Sequence, residues 1–184
     1  MSVDFNAVFA IGPGYRGVAW LRDALVREPP GIREVVVRYR ERWRVKEWLV
    51  EEPRHGTENI VGPGGFSLHI SARAVALYHL IRFSQFTGAD EERRVLRRAC
   101  FAIASMVDSP RAIYMHELLP SGFEDGLDFD GIESNIRAAF GAPSPTFVAL
   151  HAAENFGTGC WFLDDFEDFR EPLPVARVLK ARRD

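Results

Sequence analysis

The sequence predicts a single α+β domain over residues 1–184: a mixed, largely antiparallel sheet of five or six strands, with four or five helices packed mainly on one side. Three observations carry that expectation. Residues 35–50 read VVVRYRERWRVKEWLV, a two-residue alternation of the kind shown by a strand with one face in water. Two helical patterns follow one another between residues 71 and 107, enough for a helical layer. The repeated strand-then-helix order that builds a parallel sheet is missing. With 184 residues, 47% of them hydrophobic, the chain suits one core of ordinary size.

The elements follow in order. The apolar run FNAVFAI at residues 5–11, closed by Gly12, Pro13 and Gly14, predicts a buried first strand. Residues 16–26 place Val18, Leu21 and Leu25 at spacings of three and four, a helix stopped by Pro29, Pro30 and Gly31. The alternating segment comes next; its sixteen residues exceed an ordinary strand, so a bend, bulge or hairpin is expected within 41–46. Residues 51–65, with two prolines and four glycines, read as the main loop. A short strand over 66–70 leads to Ser71, which suits the N-cap of a helix reaching Phe86 and ended by Thr87 and Gly88. A second helix covers 90–107, apolar at Val95, Ala99, Ala102, Ile103 and Met106. Residues 111–119 form the next strand. After a Gly- and Asp-rich loop, Asp130 and Glu133 make a capping box for a short helix ending at Gly141. Ser144 and Pro145 begin another helix, residues 160–163 are a final strand, and 172–184 form a loosely packed, charged tail.

Charge is segregated along the chain. The net −3 combines residues 1–111, with 17 basic and 13 acidic side chains, and residues 112–184, with 6 and 13. The halves are therefore expected to attract each other within one fold. If residues 35–50 form a strand, one face carries Val35, Val37, Tyr39, Glu41, Trp43 and Val45, with Tyr39 and Trp43 largely buried, and the other carries Val36, Arg38, Arg40, Arg42, Arg44 and Lys46. A pI near 6.0 counts against a dedicated nucleic-acid binder, and the plain reading of the ladder is a solvated strand face with cross-strand acids. Between residues 112 and 171 twelve carboxylates face only Arg137 and Arg170.

Chemical motifs are sparse. Gly12, Gly14 and Gly17 spell G-x-G-x-x-G between a predicted strand and a predicted helix, where backbone amides hold a pyrophosphate in dinucleotide sites. The matching ribose-binding acid is absent, since Val36 stands near its place, and a tight glycine turn is the simpler reading. The histidines His55, His69, His79, His116 and His151 are scattered, and the His151/Glu154 pair at i, i+3 lacks further ligands, so no metal or other cofactor is expected. Cys100 lies inside a helical pattern and reads as a buried thiol. Cys160, beside glycines, reads as a cysteine packed at a strand start and as the faster of the two toward a thiol reagent.

The functional expectation is a non-catalytic, cytoplasmic interaction protein, one that binds a basic protein partner through an acidic edge and inhibits it, as a toxin-neutralising immunity protein does. That edge comprises Glu124, Asp125, Asp128, Asp164, Asp165, Glu167 and Asp168, with Phe123, Phe129, Phe162, Phe166 and Phe169 as inward anchors. The start MSVDFNAVFAI lacks the basic opening of a secretory signal, and no apolar run is long enough for a membrane span. The alternative is a small enzyme or ligand-binding protein holding a nucleotide or phosphorylated metabolite at the Gly12, Gly14 and Gly17 turn.

Overall fold

The computed structural model describes residues 4–54, 56–116, 122–123, 125–155 and 160–169. Its centre is β1 (Asp4–Ala10), the apolar strand legible in FNAVFAI, paired with β5 (Ala74–Arg82) on one side and β6 (Ala112–His116) on the other. From β5 the sheet runs through β4 (Phe66–Ile70) and β3 (Thr57–Gly62) to β2 (Leu49–Arg54), and from β6 to β7 (Trp161–Asp164). Every pairing is antiparallel. The expected mixed sheet of five or six strands is thus, among the described residues, a wholly antiparallel sheet of seven.

One face of the sheet carries Phe5, Ala7, Phe9, Leu68, Leu77 and Tyr114. It is covered by α1 (Val18–Val26), α2 (Pro30–Tyr39), α3 (Phe83–Gly88), α4 (Asp90–Val107) and α6 (Phe147–Asn155). On the other face α5 (Phe129–Phe140) sets Phe129, Ile132 and Ile136 against Val8, Ala76, Ile113, Met115 and Trp161. The one-sided helical layer therefore holds with α5 as its exception, and among the described residues six helices stand where four or five were expected. Helix α4 matches its expected bounds: Asp90, Glu91 and Glu92 occupy the first turn, where the helix dipole favours acids, and Val95, Leu96, Ala99, Cys100, Ile103 and Val107 are buried. No helix among the described residues is long and apolar enough to cross a membrane.

The strand expected over 35–50 is not there. Residues 30–39 are helix α2, followed by a 3-10 turn, Arg40–Arg42, and an irregular crossing that joins β2 only at Leu49. Pro29, Pro30 and Gly31 open this helix as well as closing the one before it: Pro30 sits in the first turn, where its missing N–H costs nothing. The buried residues Ile32, Val35, Val36 and Tyr39 follow a helical stripe, so Tyr39 is buried and Arg38 exposed through 3.6-residue periodicity, not through alternation.

Two further elements differ. The expected loop 51–65 is the β2–β3 hairpin plus the turn Pro63–Gly65, and Pro53 is tolerated because β2 is an edge strand. The helix expected from Ser71 is strand β5. Ser71 does act as a cap: its Oγ accepts the N–H groups of Ala74 at 3.0 Å and Arg73 at 3.3 Å, but these close the β4–β5 hairpin. At α5 the N-cap is Asp128, accepting Gly131 N–H at 2.9 Å, while Asp130 and Glu133 turn to Arg111. At α6 it is Thr146, accepting Ala149 N–H at 3.1 Å, in place of Ser144. Glu117, His55, Glu124 and the tail 172–184 lie outside the described residues.

Candidate functional site

The sheet brings most of the expected acidic edge to one end. Ala112 at the start of β6 lies opposite Asp164 at the end of β7. Arg111 joins α5 to the same end through Asp130 at 2.6 Å and Glu133 at 3.3 Å. Asp164, Asp165, Glu167 and Asp168 lie there at and after the end of β7, with Asp164 and Asp168 turned to Arg97 on the α4 face, while Asp128 lies at the start of α5 on the opposite face, with Asp125 in the turn ahead of it.

These carboxylates do not share one role. Asp164 is buried at 3% exposure, and Arg97 meets it with Nε at 2.7 Å and Nη2 at 2.9 Å. The Tyr114 hydroxyl donates to it at 2.8 Å and Phe166 N–H at 3.0 Å. The same guanidinium donates to Asp168 at 2.7 and 2.8 Å and lies between the rings of Phe147 and Phe169, 5.1 and 4.7 Å from their centroids. Burial alone would depress the Arg97 pKa, but hydrogen bonds to Asp168 and Asp164 outweigh it and raise it, and those bonds in turn hold Asp168 below the usual carboxylate range. Asp164 is thus a core anchor fixing β7 to α4, Asp128 is a helix cap, and Asp125, Asp165 and Glu167 remain exposed without an ion pair among the described residues.

The glycine turn is closed from within. Gly12 N–H donates to the Val107 carbonyl at 2.9 Å, and Gly14 N–H donates to Oδ2 of Asp108 at 3.0 Å. A carboxylate from the C-cap of α4 therefore lies where a bound phosphate would be read by these amides. Gly12 is required by that approach, since a Cβ there would meet the Asp108 carbonyl at 2.2 Å.

The remaining titratable groups are built into packing. His79 is fully buried; its Nε2–H donates to the Gly64 carbonyl at 2.9 Å and its Nδ1 accepts Ile81 N–H at 3.2 Å, so burial pushes its pKa down to about 4. His151 hydrogen-bonds Thr87 at 3.0 Å, joining α6 to α3. Both cysteines are free and buried: burial pushes the Cys100 thiol up, and Cys160, expected to be the faster toward a thiol reagent, is 3% exposed. No group of three His, Cys, Asp or Glu suited to a metal occurs among the described residues.

A feature missed in the sequence lies on the sheet face that also receives α5. Residues 42–45 together with β3, β4 and β5 line a groove of about 490 Å3, whose lining includes Arg42, Trp43, Arg44, Val61, Tyr78 and Leu80. Two lining positions need glycine: a Cβ at Gly65 would come within 2.7 Å of the Trp43 indole nitrogen in the groove wall, and one at Gly62 within 2.2 Å of the Trp48 ring, which is buried in the core behind the groove. On the floor, Ser67 Oγ lies 3.2 Å from Nε2 of His69. That is a nucleophile-and-base spacing, but β4 is paired on both sides, which engages its backbone amides in the ladder instead of in an oxyanion hole. Comparison of the chain with protein-family models, with curated proteins and with solved structures returns no match.

Proposed function

We propose that the protein is a non-catalytic, cytoplasmic interaction protein that receives a basic protein partner on the acidic end of its sheet and inhibits it in the manner of an immunity protein. The carrying observation is the charge surplus at that end. Among the described residues, Asp125, Asp128, Asp130, Glu133, Asp164, Asp165, Glu167 and Asp168 are eight carboxylates against the four guanidinium groups of Arg73, Arg97, Arg111 and Arg137. A net negative surface of this kind steers a cationic partner into encounter and disfavours acidic competitors. Two reduced, buried cysteines suit a reducing compartment. The alternative at Gly12, Gly14 and Gly17 draws no support from amides already bonded to Val107 and Asp108.

The test is a set of substitutions confined to exposed carboxylates without an ion pair among the described residues, Asp125→Asn, Asp165→Asn and Glu167→Gln, the Asn at 165 keeping the oxygen that accepts Glu167 N–H at 3.1 Å. Asp164 stays untouched, because breaking a buried pair of this type costs about 3–5 kcal/mol and would confound the result. With the partner identified by affinity purification, its association rate is measured against ionic strength. The triple variant should associate several-fold more slowly at low salt and with a flatter salt dependence. Unchanged rates in a variant with wild-type circular dichroism would reduce the acidic end to a solubilising surface.

A further inference from the structure

Among the described residues, the cations from the last turn of α2 to Lys46 divide into two groups. Arg38 is held by Glu91 at 2.7 Å and by Glu92 at 2.8 Å, Arg40 by Glu28 at 3.4 Å, and Lys46 donates to the Arg40 carbonyl at 2.7 Å. Arg42 and Arg44 have no carboxylate at ion-pair distance; Arg42 lies 5.4 Å from the centroid of the Tyr39 ring, and both line the groove. The groove is otherwise apolar and aromatic. Leu80 on its floor is 48% exposed, a large aliphatic side chain facing water in the middle strands of the sheet.

We infer that this groove is a binding site for a small organic anion with an apolar body, a medium-chain fatty carboxylate, whose chain lies along Trp43, Val61, Tyr78 and Leu80 and whose head meets Arg42 and Arg44. The volume, about 490 Å3, falls inside the range of roughly 300–1,000 Å3 that small-molecule sites occupy. Charge complementarity selects the head group: among the described residues neither guanidinium lining this apolar slot has a carboxylate at ion-pair distance, Arg42 feeling Glu92 only from further away, and such a pair favours a planar anion that accepts paired N–H bonds. The Trp43 side of the groove is preformed, since that indole is seated on Gly65. Two cations do not track a polynucleotide backbone, and the apolar lining gives successive phosphates no further contact. This surface is distinct from the acidic end, and the inference stands or falls independently of the partner proposed there.

The experiment titrates the full chain with dodecanoate below its micellar range by calorimetry, with dodecanol as the neutral control. Saturable one-to-one binding of dodecanoate, clearly tighter than that of dodecanol, is the expected result. Replacing both arginines (Arg42→Ala with Arg44→Ala) should weaken dodecanoate about tenfold or more while leaving dodecanol unaltered. Leu80→Asp, at an exposed position that the fold does not need, should abolish binding of both and serves if the arginine variant is poorly folded. Arg33→Ala, at an exposed position of α2, removes a guanidinium elsewhere and should bind as the wild type does. Absence of saturable binding, equal affinity for acid and alcohol, or equal loss in Arg33→Ala would each overturn the assignment. The triple variant at the acidic end should bind dodecanoate normally, so failure at one surface is told apart from failure at the other.

Discussion

At the scale of single residues, the structure is most sensitive where a polar group is buried with all its partners in place. His79 is such a group: donating to Gly64 and accepting from Ile81, it is neutral in the folded chain, with a pKa of about 4 against an ordinary 6.5. Between those values the unfolded chain binds a proton that the folded chain refuses, so stability falls as pH drops from 6.5 toward 4. The loss by pH 4 is on the order of 3 kcal/mol. Glu92 and Asp168 act in the same direction. Burial pushes Glu92 up, but Arg38 and Tyr39 more than reverse it, and Arg97 lowers Asp168, so the contributions of both are lost as acid protonates them. His79→Gln retains a donor and an acceptor without titrating. Urea unfolding at pH 7 and pH 4.5 should show a steeper loss for the wild type than for this variant, the carboxylate contribution being common to both. Parallel losses would mean that the His79 ring is reached by water in the native state.

At the scale of elements, α2 and β5 show why part of the fold was legible and part was not. Over residues 32–39 both periods fit, since Val35 and Tyr39 satisfy alternation and Ile32, Val35, Val36 and Tyr39 satisfy a helical stripe. The partner decides between them: α2 lies on α4 so closely that a Cβ on Gly31 would meet the Arg98 carbonyl at 2.3 Å, and that contact is invisible in a single sequence. In β5 the same Ser71 hydroxyl that caps helices closes a hairpin, and only strand pairing on both sides settles which. By contrast β1 and α4 declare themselves, β1 as a continuous apolar run stopped by Gly12 and Pro13 and α4 as one clear helical period opened by acids. The site divides in the same way. Arg42 and Arg44 were visible as a ladder, but their groove is assembled from strands up to 38 residues further along the chain, and the burial of Asp164 depends on Arg97, 67 residues away. Gly31→Ala discriminates the two readings. In an exposed segment it would be neutral or favourable by helix propensity, whereas here backbone meets backbone and the cost should be about 1–3 kcal/mol. Chemical denaturation gives the sign directly, and a stabilised variant would contradict the α2–α4 contact.

At the scale of the whole molecule, the charge segregation of the sequence becomes a structural device only in places. Arg97 with Asp164 and Asp168, and Arg111 with Asp130 and Glu133, join the basic and acidic stretches of the chain, and of these the Arg97 cluster is the buried one that holds β7. Exposed pairs such as Arg38 with Glu91 are worth little by comparison. Stability is therefore expected to be uneven across the sheet. Strand β1 is paired on both sides and covered on both faces, whereas β2 is an edge with Pro53, an irregular register between Glu51 and Arg54, and Leu49 and Val50 each 51% exposed. Native-state amide exchange should show β1, β5, β6 and α4 opening only with global unfolding, and the β2–β3 hairpin opening locally and much sooner. Strand β3 also forms part of the groove floor through Val61, so dodecanoate should slow exchange in β3 and β4 selectively while leaving β6 and β7 unaltered, because a ligand protects the openings that destroy its site. Uniform protection across all seven strands would instead mark the sheet as one cooperative unit, and the hairpin would then be no weaker than the centre.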